Sequence, residues 1–233
     1  TPPPTTRPPS PPATRPPDAG RLPEAASPPE GMVKIPARQA SWAGASWDVR
    51  PFHLDRRPVT NAEYAAFVEG TDALPPAWWH GRIPPADRAD HPVVGVKLRD
   101  ARAYAAWRGR RLPTADEWLS AARPVATSVF PWTTGCGAAT CHCPRAGHRT
   151  TSPVNAHPDG RSQDGVEDLY GNVWEWVEPS ARVPAREAGA TLVFGASFRH
   201  PCSAPDGRVP ATEVLLDADY LYLGFRCASD MKQ

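Results

Sequence analysis

From Met32 onward, apolar residues come in short bursts separated by turn formers: Val33 and Ile35, then Trp42 and Trp47, then Phe52 and Leu54. That texture predicts short strands. Thr60-Asn-Ala-Glu63 follows as a capping box, in which the Thr60 hydroxyl accepts from the first turn and Glu63 reaches back. Tyr64, Phe67 and Val68 then fall on one helical face. A second helix is predicted over about Asp100 to Trp107, with Ala103, Tyr104 and Trp107 as its stripe and Gly109 past its end. The start signal repeats at Thr114 and Glu117, where Trp118, Ala121 and Ala122 give a buried side and Pro124 a stop. Beyond it, Gly, Pro, Thr, Cys and His run without period to Val166, which predicts a long irregular region held to the core at a few points.

Composition sets limits on this picture. The chain has 233 residues, 40% hydrophobic and 22% charged, enough for one sizeable core. A net charge of +1 gives no general nucleic-acid surface, and no apolar run approaches the roughly 18 residues of a membrane span. Twelve of the 31 prolines lie in residues 1–30, among Thr, Ser, Ala and Arg. Such a stretch supports neither helix ladders nor a core, so 1–30 is expected to be a disordered proline-rich linker and 31–233 the folded domain. Arginine outnumbers lysine 23 to 3, which suggests a GC-rich bacterial genome.

Two clusters carry chemistry. Asp168-Leu-Tyr-Gly-Asn-Val-Trp-Glu175 offers two carboxylates and the carbonyls of a turn, hard oxygen ligands that suit calcium. The alternative makes Trp174 and Trp176 core residues, with Glu175 held by backbone groups or an arginine. Cys136, Cys141 and Cys143, with His142 and His148 nearby, allow a local disulfide from Cys136 to Cys141 or Cys143, a zinc site, or free thiols.

Seven motifs then carry a resemblance. Arg57-Pro-Val-Thr-Asn61, His91-Pro-Val-Val-Gly-Val96, Arg111-Leu-Pro-Thr114 with Glu117-Trp118, Phe130-Pro-Trp132, Gly171-Asn-Val-Trp-Glu-Trp176, Gly195-Ala-Ser-Phe198 and Gly224-Phe-Arg226 occur in the order seen in the formylglycine-generating-enzyme, or sulfatase-modifying-factor, family. The resemblance spans about residues 31 to 229. It implies an α+β fold, an irregular, loop-rich variant of the C-type-lectin fold with two main helices and small antiparallel sheets. It also implies a calcium held by the Asp168 side chain, the Gly171 and Val173 carbonyls and Glu175. Enzymatic members bind copper(I) through two cysteines five residues apart after the Gly-Gly-Ser-aromatic motif. Here those positions are His200 and Pro205, with Cys202 between them, so copper is not expected. The family's sulfoxide-synthase branch uses a histidine-rich iron site supplied partly by an additional helical domain, which these residues do not include. Cys227 matches a cysteine that is disulfide-bonded in some members, but the partner position is Ala105.

In this fold the segment before Gly224-Phe-Arg226 forms much of the exposed ligand surface. Here it carries Arg199, His200, Cys202, Asp206, Arg208, Asp217, Asp219, Tyr220 and Tyr222, and Tyr and Arg are common binding anchors. The function expected is a non-catalytic domain that binds a protein or small-molecule ligand. It would serve as a variable protein of a diversity-generating retroelement or as an accessory domain of a larger, kinase-like protein, and is expected to be monomeric. The alternative is a divergent metal-dependent oxidase or oxygenase that uses His200 with Cys202, or the Cys136 cluster.

Overall fold

A computed structural model describes residues 27–126, 128–144, 149–201 and 208–231. Most of the proline-rich stretch, as well as His148, Cys202, Pro205 and Asp206, lies outside them. The early apolar bursts form β1 (Met32–Ile35), β2 (Arg38–Trp42), β3 (Ala45–Val49) and β4 (Phe52–Asp55). β2 and β3 make a hairpin in which Trp42 faces Ala45 across a two-residue turn. Both turn residues, Ala43 and Gly44, have positive φ, the type I′ arrangement that matches strand twist. β4 pairs antiparallel with β1 on one side and with β9 (Ala228–Asp230) on the other.

Among the described residues three α-helices follow, α1 (Asn61–Gly70) and α3 (Ala115–Ala121) at the two start signals and α2 (Leu98–Trp107) where the second helix was expected, beginning two residues earlier. Both predicted capping boxes form, with Thr60 and Thr114 accepting from the backbone of Glu63 and Glu117 while each glutamate accepts from its cap N–H. Among the described residues α1 and α2, ten residues each, are the two main helices, and the start signal at Thr114 opens the shorter α3 with its own cap. The face of α2 also differs from the expected stripe. Leu98, Ala101, Tyr104 and Ala105 are buried and Ala103 is exposed. Trp107 is 42% exposed, its ring only edging onto Phe67 and Tyr104. Across the predicted irregular region, the one helical turn among the described residues is the 3₁₀ turn Pro158–Gly160.

A second sheet is built from β5 (Trp174–Trp176), β6 (Ala190–Phe194), β7 (Ala211–Leu215) and β8 (Leu223–Phe225) in the order β7-β6-β5-β8. The β5–β8 pair is parallel, so the sheets are not purely antiparallel. This sheet separates two hydrophobic clusters. Leu192 and Phe194 of β6 join the cluster of β1, β4 and α3, whereas Val193 between them joins that of α1, α2 and β8. A strand buried on both faces has no polar alternation. Among the described residues, no helix is long and apolar enough to cross a membrane.

Candidate functional site

The turn into β5 is unusual in its backbone. Asp168, Gly171 and Asn172 all have positive φ, at 53°, 84° and 58°. Asn172 locks the turn from inside: its amide group exchanges hydrogen bonds with the backbone of Ser152 and donates to the Asp168 carboxylate at 3.1 Å. Glu175 and Arg226 are both wholly buried and meet face to face. Arg226 Nε and Nη2 donate to the two Glu175 oxygens at 2.7 and 2.6 Å, and Trp118 Nε1 donates to the same carboxylate at 2.8 Å. The remaining guanidinium N–H groups reach the carbonyls of Asp55, Arg56, Glu167 and Asp168. The arginine of Gly-Phe-Arg therefore supplies the positive charge at this turn. Burial pushes the Asp168 carboxyl up to about 7, its bond from Asn172 and the charge of Arg226 acting in the opposite direction.

Of the predicted calcium ligands, Asp168, Gly171, Val173 and Glu175 share this turn, but Glu175 already accepts from Arg226 and Trp118. Three oxygens free of that pair fall short of the six to eight that calcium takes. The cage closes only if Glu175 shares an oxygen and water completes it.

The predicted recognition residues divide into two groups. Arg199 lies over the Tyr222 ring at 5.3 Å, and Tyr220 stacks on Tyr222 with centroids 5.2 Å apart. His200 is anchored by Ser197 Oγ at 2.9 Å from its Nδ1 and packs against Trp174 at 5.1 Å. Burial and the neighbouring Arg199 charge hold its pKa below the usual histidine value. Arg208 lines a cleft to which Tyr220 and Tyr222 do not contribute, and Asp219 is exposed.

His200, Arg208 and Trp174 line a cleft of about 880 Å³ that the sequence did not announce. Its other walls come from the β2–β3 hairpin through Trp42, from the end of α3 through Arg123, and from the loop before β6 through Arg186. No local pattern marks these residues, because only the tertiary fold brings them together. Among the described lining residues there are three arginines and no carboxylate.

With this geometry in view, known proteins fall into place. A model of the sulfatase-modifying factor enzyme 1-like domain matches residues 13–231. The chain belongs to that family. It is 33% identical to the formylglycine-generating enzyme of Streptomyces coelicolor, over 78% of this chain and 79% of that one. It is 30% identical to the inactive C-alpha-formylglycine-generating enzyme 2 of Mus musculus, over 78% and 76%. The fold matches Treponema denticola variable protein 1 with a TM-score of 0.64 at 16% identity, covering 85% of this chain and 94% of that one. The architecture is that of the C-type-lectin-like formylglycine-generating type.

Proposed function

We propose that this chain is a non-catalytic binding domain whose cleft takes a ligand of net negative charge, with residues 199–223 as its recognition face. The observation that carries this reading is the cleft wall. Where copper-dependent members need a thiolate, the wall presents His200, anchored by Ser197, and the described lining carries Arg123, Arg186 and Arg208 but no carboxylate; Glu213, next to Arg186, is taken up by the backbone N–H groups of Arg186 and Glu187. A mouse relative of similar identity bears a name that declares it inactive. Guanidinium groups grip carboxylates and phosphates in paired fashion, which gives such a cleft its selectivity. A variable protein and an accessory domain would use it alike. Calcium at the Asp168 turn belongs to the same proposal, as a stabiliser with Asp168, Gly171 and Val173 as ligands and Glu175 shared with Arg226.

Two measurements test the reading. Incubated with copper, oxygen and a cysteine-containing peptide, the protein is expected to form no aldehyde product detectable by mass spectrometry; turnover would restore the oxidase alternative. At constant ionic strength, citrate, sulfate or phosphate should raise the melting temperature of the wild type more than chloride does. The joint Arg123→Ala, Arg186→Ala and Arg208→Ala variant should lose that response. Equal response in both proteins would remove the anion as ligand.

A further inference from the structure

Three of the five cysteines converge where the long irregular region crosses the Asp168–Glu175 turn. We infer that Cys136, Cys141 and Cys143 form a soft-metal site that, in the reduced protein, holds one thiophilic closed-shell cation, zinc or copper(I). Their sulfurs all lie within 4.8 Å of one another, with Cys136 Sγ 3.0 Å from Cys141 Sγ. Two thiolates on one tetrahedral zinc are about 3.8 Å apart, given Zn–S bonds of about 2.3 Å. The observed trio reaches that spacing by side-chain adjustments of about an ångström or less. Cys141 and Cys143 are buried and Cys136 is half-buried, so the site is sheltered but reachable.

The backbone shapes this convergence. The amides of Thr140 and Cys141 both donate to the Gly137 carbonyl, and Gly137 N–H donates to Thr140 Oγ1, closing a tight turn that returns Cys141 to Cys136. One residue on, the His142 carbonyl accepts from Asn172 N–H at 2.9 Å, which seats the loop on the signature turn. His142 Nε2 is engaged with the Thr150 carbonyl at 2.9 Å, and among the described residues the converging donors are the three sulfurs. Three protein sulfurs leave the fourth tetrahedral position open to solvent or another donor. None of the three lines the arginine cleft, so this site is independent of the proposed ligand.

In the structure Cys141 and Cys143 are joined as a disulfide, and Cys136 is disulfide-bonded as well. Loading therefore requires an excess of dithiol reductant: for each disulfide, two electrons and two protons give two thiols while one dithiol becomes its own disulfide. Metal binding then releases the thiol protons to water as the S–metal bonds form. The cluster is thereby a clamp with two forms, a metal–thiolate form and a disulfide form, on a loop that has almost no regular structure of its own.

The test uses the full chain, reduced with a dithiol under argon, desalted and exposed to zinc alone or to copper(I) alone. Elemental mass spectrometry should find a single equivalent of one of these cations retained after a second desalting. Cobalt(II) substituted for it should show thiolate-to-metal charge-transfer absorption. Cys136→Ser leaves Cys141 and Cys143 able to close and should keep the circular dichroism of the fold while weakening retention at least about tenfold. Retention of neither cation by the fully reduced chain, or unchanged retention in Cys136→Ser, overturns the inference.

Discussion

At Arg226 the guanidinium has no exposed surface, and each of its three nitrogens donates to protein acceptors. Removing one partner of such a pair leaves a buried charge without its counterpart, which costs about 3–5 kcal/mol. Arg226→Leu should therefore lose about that much in urea denaturation, and Arg226→Leu with Glu175→Leu should recover part of it. A loss below about 1 kcal/mol in the single variant would mean that the pair does not hold the turn. Two residues apart on β4, His53 and Asp55 titrate with opposite effects. His53 is buried, both of its ring nitrogens lack a partner among the described residues, and burial followed by the Lys34 charge lowers its pKa. The unfolded chain takes up that proton near pH 6.5, so the stability His53 contributes is complete above about 6.5 and declines as pH falls through its lowered folded value. Asp55 is raised to about 6 by burial despite its 2.5 Å bond from Arg110. In the window from about 4 to 6 its folded form holds the extra proton, so its contribution falls as pH rises. From pH 7 down to pH 4, the stability of the wild type relative to His53→Gln should shrink, and relative to Asp55→Asn it should grow. Parallel stability curves for either pair would refute the assignment for that residue.

Among the elements, α3 depends most on its ends. Seven residues are too few for an isolated helix in water, where about 12–15 are needed even for favourable sequences. Its register is fixed instead by the Thr114 cap, by Glu117 bridged to Arg111 through two 2.7 Å bonds, and by Trp118, which is fully buried against Phe194. Thr114→Ala should cost about 1 kcal/mol, a melting-temperature drop of about 2–4 °C, while Thr114→Ser should stay close to wild type. If alanine matches wild type, packing alone sets the helix. The capping boxes were legible in the sequence because each is a local arrangement spanning four residues. β6 and β7 were not, since β6 is buried from Thr191 to Phe194 without alternation and the two strands take their register from partners distant in sequence. The same distinction separates the site residues. Arg199, Tyr220 and Tyr222 stood out within one segment, whereas Trp42, Arg123 and Arg186 line the cleft from three separate parts of the chain. Glu175 was seen as a charge in need of a partner, but that Arg226 is the partner is a fact of the tertiary fold.

Across the whole molecule, the β7-β6-β5-β8 sheet is the shared wall of both cores, and the turn at Asp168–Glu175 is where they are tied together. Leu169 and Tyr170 enter one cluster and Trp174 and Trp176 the other, so a single turn cannot loosen without disturbing both. Gly171 is its least substitutable position. Its φ is 84°, and a Cβ there would lie 2.7 Å from the His142 carbonyl oxygen and 3.1 Å from Cys143 Sγ. Backbone cannot yield as a flexible side-chain end does, so alanine is opposed by strain and by contact together. Gly171→Ala should lower the midpoint of unfolding, and tryptophan fluorescence and far-ultraviolet circular dichroism should still report one coincident transition at the lower value. Coincidence is the expected behaviour of two cores that share a sheet. Separate midpoints for the two probes in the variant would show that the cores unfold independently, and that the turn joins them in space without coupling them in energy.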